Sequence, residues 1–70
     1  MQIRYSSHAR KRMIERDINE EQIKEAIDFP DYTIKRGREI EAYKKIAGKK
    51  LKVVYIVIGK FINIITIYYI

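Results

Sequence analysis

Cysteine is absent from this sequence of 70 residues, and histidine occurs once, as His8. The absence of cysteine excludes disulfides and thiolate metal sites, and a single imidazole leaves too few ligands for a structural zinc. We therefore expect neither a metal nor another cofactor. A single domain over residues 1–70 buries only about 60% of the surface of its unfolded chain, so we expect a second copy or a partner protein to add to a small core.

Long apolar runs and targeting signals are also absent. No run reaches the ~18 residues of a membrane span, and the first residues do not read as a signal peptide, so we expect a cytoplasmic protein without a membrane partner. The composition, 47% hydrophobic and 34% charged, is typical of a globular chain. Few glutamines and asparagines beside abundant isoleucine, lysine and glutamate indicate a thermophile.

Charge is divided unevenly along the chain, whose net charge is +6. Residues 19–32 carry one basic and five acidic side chains, whereas residues 33–60 carry nine basic and two acidic ones. Such a distribution can orient a polyanion against one side of the molecule. Because a basic composition is only a footprint of nucleic-acid binding, the charge alone leaves open an ordinary soluble surface.

A short strand in "QIRYS" precedes a first helix, which the sequence predicts over residues 7–16. Ser6 or Ser7 can cap its first turn, and Asp17 ends it. Within this helix His8, Arg12 and Glu15 have the spacing i, i+4 and i+7, so they share one face.

This trio of side chains has the chemistry for cleaving a phosphodiester without a metal. His8 or Glu15 can transfer the proton of a ribose hydroxyl, and Arg12 and Arg16 can offer guanidinium groups to the charged phosphate. The alternative is a solvated helix face on which Glu15 neutralises the two arginines. The sequence leaves both interpretations open.

A second helix is predicted over residues 20–28. Asn19 and Gln22 have the spacing of a capping box, and the residue before Pro30 avoids helical angles, which ends the helix. The helix is acidic and would be repelled by DNA, so the two helices do not indicate a helix-turn-helix domain.

Beyond the second helix the hydrophobic period becomes two, which predicts a meander of strands. The predicted strands cover residues 32–36, 39–47, 51–58 and 61–69. The last two strands are apolar on both faces. Because two helices cover one face of such a sheet, we expect a homodimer or a heteromer to cover the other.

Basic side chains alternate with tyrosines on the first two strands of this meander. They predict a nucleic-acid-binding surface that comprises Lys35, Arg36, Arg38, Tyr43, Lys44 and Lys45. Tyr32 and Tyr43 could stack on bases or pack against neighbouring strands. Thr66 and Tyr68 point the same way on the last strand.

Three segments carry a resemblance: "HARKRMIER", "INEEQIKEAIDFP" and "IITIY". They resemble a family of small bacterial and archaeal proteins of unknown function. That family is placed beside the RelE-like and BrnT-like toxins, in the metal-independent ribonuclease fold of barnase, EndoU, the colicins and RelE. At Asp17 the family more often has glycine, and aspartate tolerates the same left-handed turn.

The resemblance implies an α+β fold, with a short N-terminal strand and two helices packed on a twisted antiparallel sheet of about four strands. It also implies a metal-independent endoribonuclease toxin that acts on RNA and is neutralised by a cognate antitoxin. The catalytic positions that match are His8, Arg12, Glu15, Arg16, Thr66 and Tyr68. Two other functions stay open: a non-catalytic RNA-binding or regulatory module, and an interaction protein that uses its apolar sheet face.

Overall fold

The computed structural model describes residues 2–70, so Met1, the first residue of the predicted domain, lies outside the described residues. Two helices follow a short strand and precede four longer strands. In chain order the elements are β1 (Gln2–Tyr5), α1 (Ser7–Arg16), α2 (Glu20–Asp28), β2 (Tyr32–Arg36), β3 (Glu39–Ile46), β4 (Lys49–Ile58) and β5 (Phe61–Tyr69). This arrangement confirms the predicted α+β fold of two helices on a sheet.

The sheet has five strands in the order β1-β5-β4-β3-β2. Neighbouring strands are antiparallel except β1 and β5, which run parallel, with Gln2 beside Phe61 and Tyr5 beside Ile64. The sheet is therefore mixed, and the N-terminal strand is its fifth member instead of a separate element. Because α1 follows β1 after one residue and packs on β5, β1 is held at the free edge of β5.

Both helices begin at the predicted caps. The Oγ of Ser6 accepts a hydrogen bond from the backbone N–H of Ala9 at 3.0 Å, and Asp17 ends α1 in the left-handed region at φ 54°, which aspartate tolerates. In the capping box of α2, the N–H of Gln22 donates to Asn19 at 2.8 Å and Gln22 accepts from the N–H of Asn19 at 3.0 Å. These bonds satisfy amide groups that the first helical turn leaves unpaired.

The hydrophobic core lies between the helices and one face of the sheet. α1 packs on β5 and α2 packs on β3 and β4. The side chains buried in this layer are Ala9, Met13, Ile18, Ile23, Ala26, Ala42, Leu51, Val53, Tyr55, Ile62, Ile64 and Ile67. We call the opposite sheet surface, which the helices leave uncovered, the open face.

An irregularity in β5 decides which side chains reach the open face. Tyr55 pairs with Ile64 and the preceding Val54 pairs with Thr66, so Ile65 is an extra residue on β5. Such a bulge reverses the alternation of side chains along the strand. The residues after it therefore switch faces, which turns Thr66 away from the core that contains Ile64.

No helix within residues 2–70 is long and apolar enough to cross a membrane.

Candidate functional site

An open pocket of about 210 Å³ on the surface of α1 brings together three of the predicted site residues. His8, Arg12 and Glu15 line it, together with Lys11. The helical spacing places the three predicted residues on one side of α1, while Ala9 and Met13 pack in the core. Arg12 is half-buried and the other three lining residues are exposed. The pocket is therefore accessible to a ligand from solvent.

The charges in this pocket favour an anion. Two cations, Lys11 and Arg12, face one carboxylate, Glu15. Across residues 2–70 the ion pairs include neither Arg12 nor Glu15. The carboxylate therefore does not neutralise the guanidinium at contact distance, and both keep their hydrogen-bonding capacity for a ligand.

The six predicted catalytic residues do not form one cluster. Arg16 is the last residue of α1, is exposed, and does not line the pocket. Thr66 pairs with Val54 and Tyr68 pairs with Lys52, and the bulge places both on the open face. The helix packs on the other side of β5, so the sheet separates these two hydroxyls from His8.

The six predicted nucleic-acid-binding residues are also divided between the two faces. Lys44 pairs with the core residue Leu51, and its ammonium lies 3.6 Å from the carboxylate of Asp31. The alternation of side chains along a strand assigns the other strand residues to one face or the other. Lys35 lies on the helix side, Arg38 in the turn after β2, and Arg36, Tyr43 and Lys45 on the open face.

A row of tyrosines and one lysine crosses the open face over four neighbouring strands. Tyr68 on β5 pairs with Lys52 on β4, Lys52 with Tyr43 on β3, and Tyr43 with Tyr32 on β2. The Lys52 ammonium lies 5.1 Å from the ring centre of Tyr68 and 5.7 Å from that of Tyr43. Hydrogen bonding with the Tyr68 hydroxyl raises the pKa of Lys52, which outweighs the opposite effect of burial.

Glu41 lies beside this row and is the one buried charged residue in the described part of the chain, with 7% of its surface exposed. The Tyr43 hydroxyl donates a hydrogen bond to Glu41 Oε1 at 2.9 Å. The Nε of Arg36 lies 3.1 Å from Glu41 Oε2, and the Nζ of Lys52 lies 3.7 Å from the same oxygen. Burial and the bond to this carboxylate raise the pKa of Tyr43.

These contacts change the interpretation of the predicted nucleic-acid-binding surface. Arg36 and Lys52 share one carboxylate, so a phosphate would have to compete with Glu41 for them. Tyr43 is buried, so its ring packs within the protein and is not open to a base. Lys45 and Lys50, which pair across β3 and β4, are exposed cations on the open face that do not contact Glu41.

The sequence interpretation missed Lys11, Glu41, Lys50 and Lys52 as site residues. A signal existed for two of them, because Glu41 and Lys52 each interrupt an apolar strand between two hydrophobic residues. Their association depends on the register of β3 against β4, which places Glu41 opposite Val54 and Tyr43 opposite Lys52. The sequence pattern does not specify that register.

Among residues 2–70, no three side chains of histidine, cysteine, aspartate or glutamate are grouped so that they could hold a metal ion. Searches of the curated proteins and of the solved structures found no match to this chain. One family model, described as a domain of unknown function (DUF4258), matches residues 5–69 and so includes both helices and the last four strands. The chain therefore belongs to the DUF4258 family.

Proposed function

We propose that this protein is an endoribonuclease that works without a metal ion, with its catalytic groups in the α1 pocket. The observation that carries the proposal is that an imidazole, a carboxylate and two cations line one open pocket. Proton transfer and charge stabilisation at a phosphate need these groups. The resemblance to a family that is placed beside the RelE-like and BrnT-like toxins agrees with this chemistry.

The reaction that fits these groups is attack by a ribose 2′-hydroxyl on the adjacent phosphate. One of His8 and Glu15 removes the hydroxyl proton as the 2′-oxygen bonds to phosphorus. The bond from phosphorus to the 5′-oxygen breaks, and that oxygen takes a proton from the imidazolium of His8 or from water. The products are a 2′,3′-cyclic phosphate and a 5′-hydroxyl, and no other reactant is required.

Arg12 and Lys11 stabilise the charge that develops on the non-bridging oxygens. A guanidinium can donate two parallel hydrogen bonds to a phosphate, and a lysine supplies a point charge beside it. Arg16 lies one helical turn beyond Arg12, where it can contact the next phosphate. Thr66 and Tyr68 lie on the other face of the sheet and have no part in this mechanism.

The partners in this proposal are RNA and a cognate antitoxin. An acidic antitoxin would complement the net charge of +6 and compete with RNA for the basic surface. We also propose that a second copy or a partner covers the apolar end of the open face, where the half-buried Ile56 and the exposed Ile58 alternate along β4. A mass measured by light scattering that stays monomeric across dilution would contradict this contact between copies.

The decisive experiment is cleavage of RNA by purified protein in EDTA. We expect His8→Ala and Arg12→Ala each to lower the rate by about 10²- to 10⁴-fold, the usual contribution of a positioned proton-transfer or charge-stabilising group. The matched control is Arg10→Ala, which removes an arginine on another side of α1, where Arg10 forms an exposed ion pair with Glu20.

Each outcome separates the three functions. Cleavage that persists in both His8→Ala and Arg12→Ala would contradict the catalytic roles assigned to these two residues. RNA binding that depends on salt, without cleavage and unchanged in His8→Ala, would favour a non-catalytic RNA-binding module. No RNA affinity at low salt would favour an interaction protein.

A further inference from the structure

An aromatic pair lies at the free edge of the sheet, where β2 is the last strand. The rings of Tyr32 and Tyr43 are stacked with their centres 4.5 Å apart and an angle of 13° between their planes. Tyr43 is buried, whereas Tyr32 keeps 44% of its surface exposed. Because Tyr43 covers one side of the Tyr32 ring and no strand within residues 2–70 lies beyond β2, the other side of that ring faces solvent.

Two polar contacts hold the Tyr32 ring in place, one through Tyr43 and one at its own hydroxyl. Glu41 is buried and accepts the hydroxyl hydrogen bond of Tyr43 at 2.9 Å, which fixes the ring on which Tyr32 rests. The Nζ of Lys50 lies 3.2 Å from the Tyr32 hydroxyl, which fixes the outer end of the ring. A rigid aromatic surface loses little conformational entropy when it binds a second ring.

Two unpaired cations lie beside this ring. Lys45 and Lys50 are directly opposite each other on β3 and β4, and within the described chain neither belongs to an ion pair. Like charges at directly opposed positions destabilise a sheet. An anionic group between them would remove that repulsion, and Lys50 already touches the Tyr32 hydroxyl, so such an anion would lie next to the aromatic ring.

We propose that the outer side of the Tyr32 ring stacks on a base of single-stranded RNA, and that Lys45 and Lys50 bind the adjoining phosphate. The site rests on the proposed function for its substrate class, RNA, but not on His8 or on cleavage. A planar ring next to a pair of cations matches a base with its phosphate. Because bases in a duplex already stack on each other, the site selects unpaired RNA, and because every base has an aromatic surface, it tolerates any sequence.

The test measures binding of a fluorescently labelled single-stranded RNA by anisotropy, with inorganic polyphosphate of similar charge as a second ligand. All variants carry His8→Ala and the buffer contains EDTA, so that cleavage cannot alter the result. We expect Tyr32→Ala to weaken RNA binding about tenfold, within the usual contribution of one stacked base. Binding of polyphosphate, which has no bases, should change less than about twofold.

Further variants separate stacking from charge and from folding. Tyr32→Phe keeps the ring and should bind RNA within about twofold of the parent. Lys50→Met should weaken both ligands and lower the salt dependence of binding by about one charge. Its matched control is Lys60→Met, which removes a lysine from the turn between β4 and β5. Circular dichroism and urea unfolding of each variant establish that it is folded.

Two results would overturn the site. One is an RNA affinity of folded Tyr32→Ala within twofold of the parent. The other is an equal loss for RNA and polyphosphate, which would assign the surface to charge alone. If RNA binds through Tyr32 but purified protein with an intact His8 does not cleave it, the nuclease proposal fails and this site stands.

Discussion

Replacement of Glu41 by glutamine tests whether this carboxylate organises the open face. Glutamine keeps the shape and an oxygen that can accept the Tyr43 hydroxyl. It also exchanges a charged oxygen for an NH₂ group, which would face the two cations that Glu41 now binds, Arg36 and Lys52. The NH₂ donors of the glutamine would then face the N–H donors of Arg36 and Lys52, at a position where Glu41 has only 7% of its surface exposed to water.

The expected cost follows from how exposed each partner is. The Arg36 side chain is 68% exposed, so it can return to water, and this half of the network is worth about 0–1 kcal/mol. Lys52 is only 16% exposed, so its ammonium loses a counter-charge that water replaces poorly. Breaking a buried ion pair costs about 3–5 kcal/mol, and the 3.7 Å between Lys52 Nζ and Glu41 Oε2, which is longer than a hydrogen bond, places this pair below that range. We therefore expect Glu41→Gln to lower the free energy of unfolding by about 2 kcal/mol.

Urea unfolding followed by circular dichroism measures this difference. For a domain of this size, with a slope of about 1 kcal/mol per molar urea, the midpoint should fall by about 2 M. The matched control is Glu39→Gln on the same strand, since Glu39 is exposed and forms no ion pair in the described chain. We expect it to change stability by less than about 0.5 kcal/mol.

Equal effects of the two glutamine variants would refute this account of Glu41. A double-mutant cycle gives a second check, because Lys52→Met removes the partner that is assigned most of the cost. In that background, Glu41→Gln should cost at least about 1 kcal/mol less than in the parent. Full additivity would mean that the two side chains do not interact.

Asn19→Ala should lower stability by about 1 kcal/mol, the usual value of an N-cap, and urea unfolding with the exposed Glu21→Ala as control measures it. Ser6→Ala should cost about as much, since Ser6 caps α1 and also donates to the carbonyl of Ile65 at 2.9 Å; Ser7→Ala is the control, and equal effects would contradict the assignment. Four groups have raised pKa values: Tyr5, Tyr43, Lys52 and Tyr55. Burial is the largest cause for the tyrosines, whose ordinary value is 10.0, and hydrogen bonding with the Tyr68 hydroxyl is the largest for the lysine. The folded state therefore holds these protons more tightly than the unfolded state. The stability that these groups contribute is fully present below pH 10 and is lost as the pH rises through their raised pKa values. Thermal melting from pH 8 to pH 11.5 measures this, and a constant melting temperature would contradict it.

The features that sequence could predict are those that depend on neighbours along the chain. The capping box of α2 requires only Asn19 and Gln22 three residues apart, and Pro30 ends the helix through its own ring. The shared face of His8 and Arg12 follows from the helical repeat, and the structure indeed brings them to one pocket. The predicted α+β fold rests on such local signals and is confirmed.

The features that sequence could not predict depend on distant pairing. Nothing in "QIRYS" specifies that Gln2–Tyr5 runs parallel to β5, because a four-residue strand carries too little pattern to choose an edge. The sequence also does not predict the extra residue at Ile65, because "FINIITIYYI" is apolar on both faces and does not specify a register. Without that bulge, Tyr68 would share a side with Ile64 in the core.

The same reason explains why the candidate site was predicted only in part. Lys44 and Lys45 are adjacent in sequence and equally basic, yet one lies on the helix side beside Asp31 and the other on the open face. Glu41 resembles any charged residue on a half-exposed strand until the register brings Arg36 and Lys52 to it. Counting basic residues therefore overstates the surface available to a phosphate.

The two surfaces proposed to contact RNA lie on opposite sides of the sheet, and β5 joins them. Ser6 binds the carbonyl of Ile65 at the bulge and caps the helix that carries His8, while the same bulge turns Tyr68 to the open face. β1 pairs with β5 only as far as Ile64, and within residues 2–70 no strand pairs with this side of β5 beyond that residue. An RNA that contacts both surfaces must pass round an edge of the sheet, which a flexible single strand can do and a stiff duplex cannot. The path round the sheet and the stacking site at Tyr32 thus favour the same substrate, single-stranded RNA.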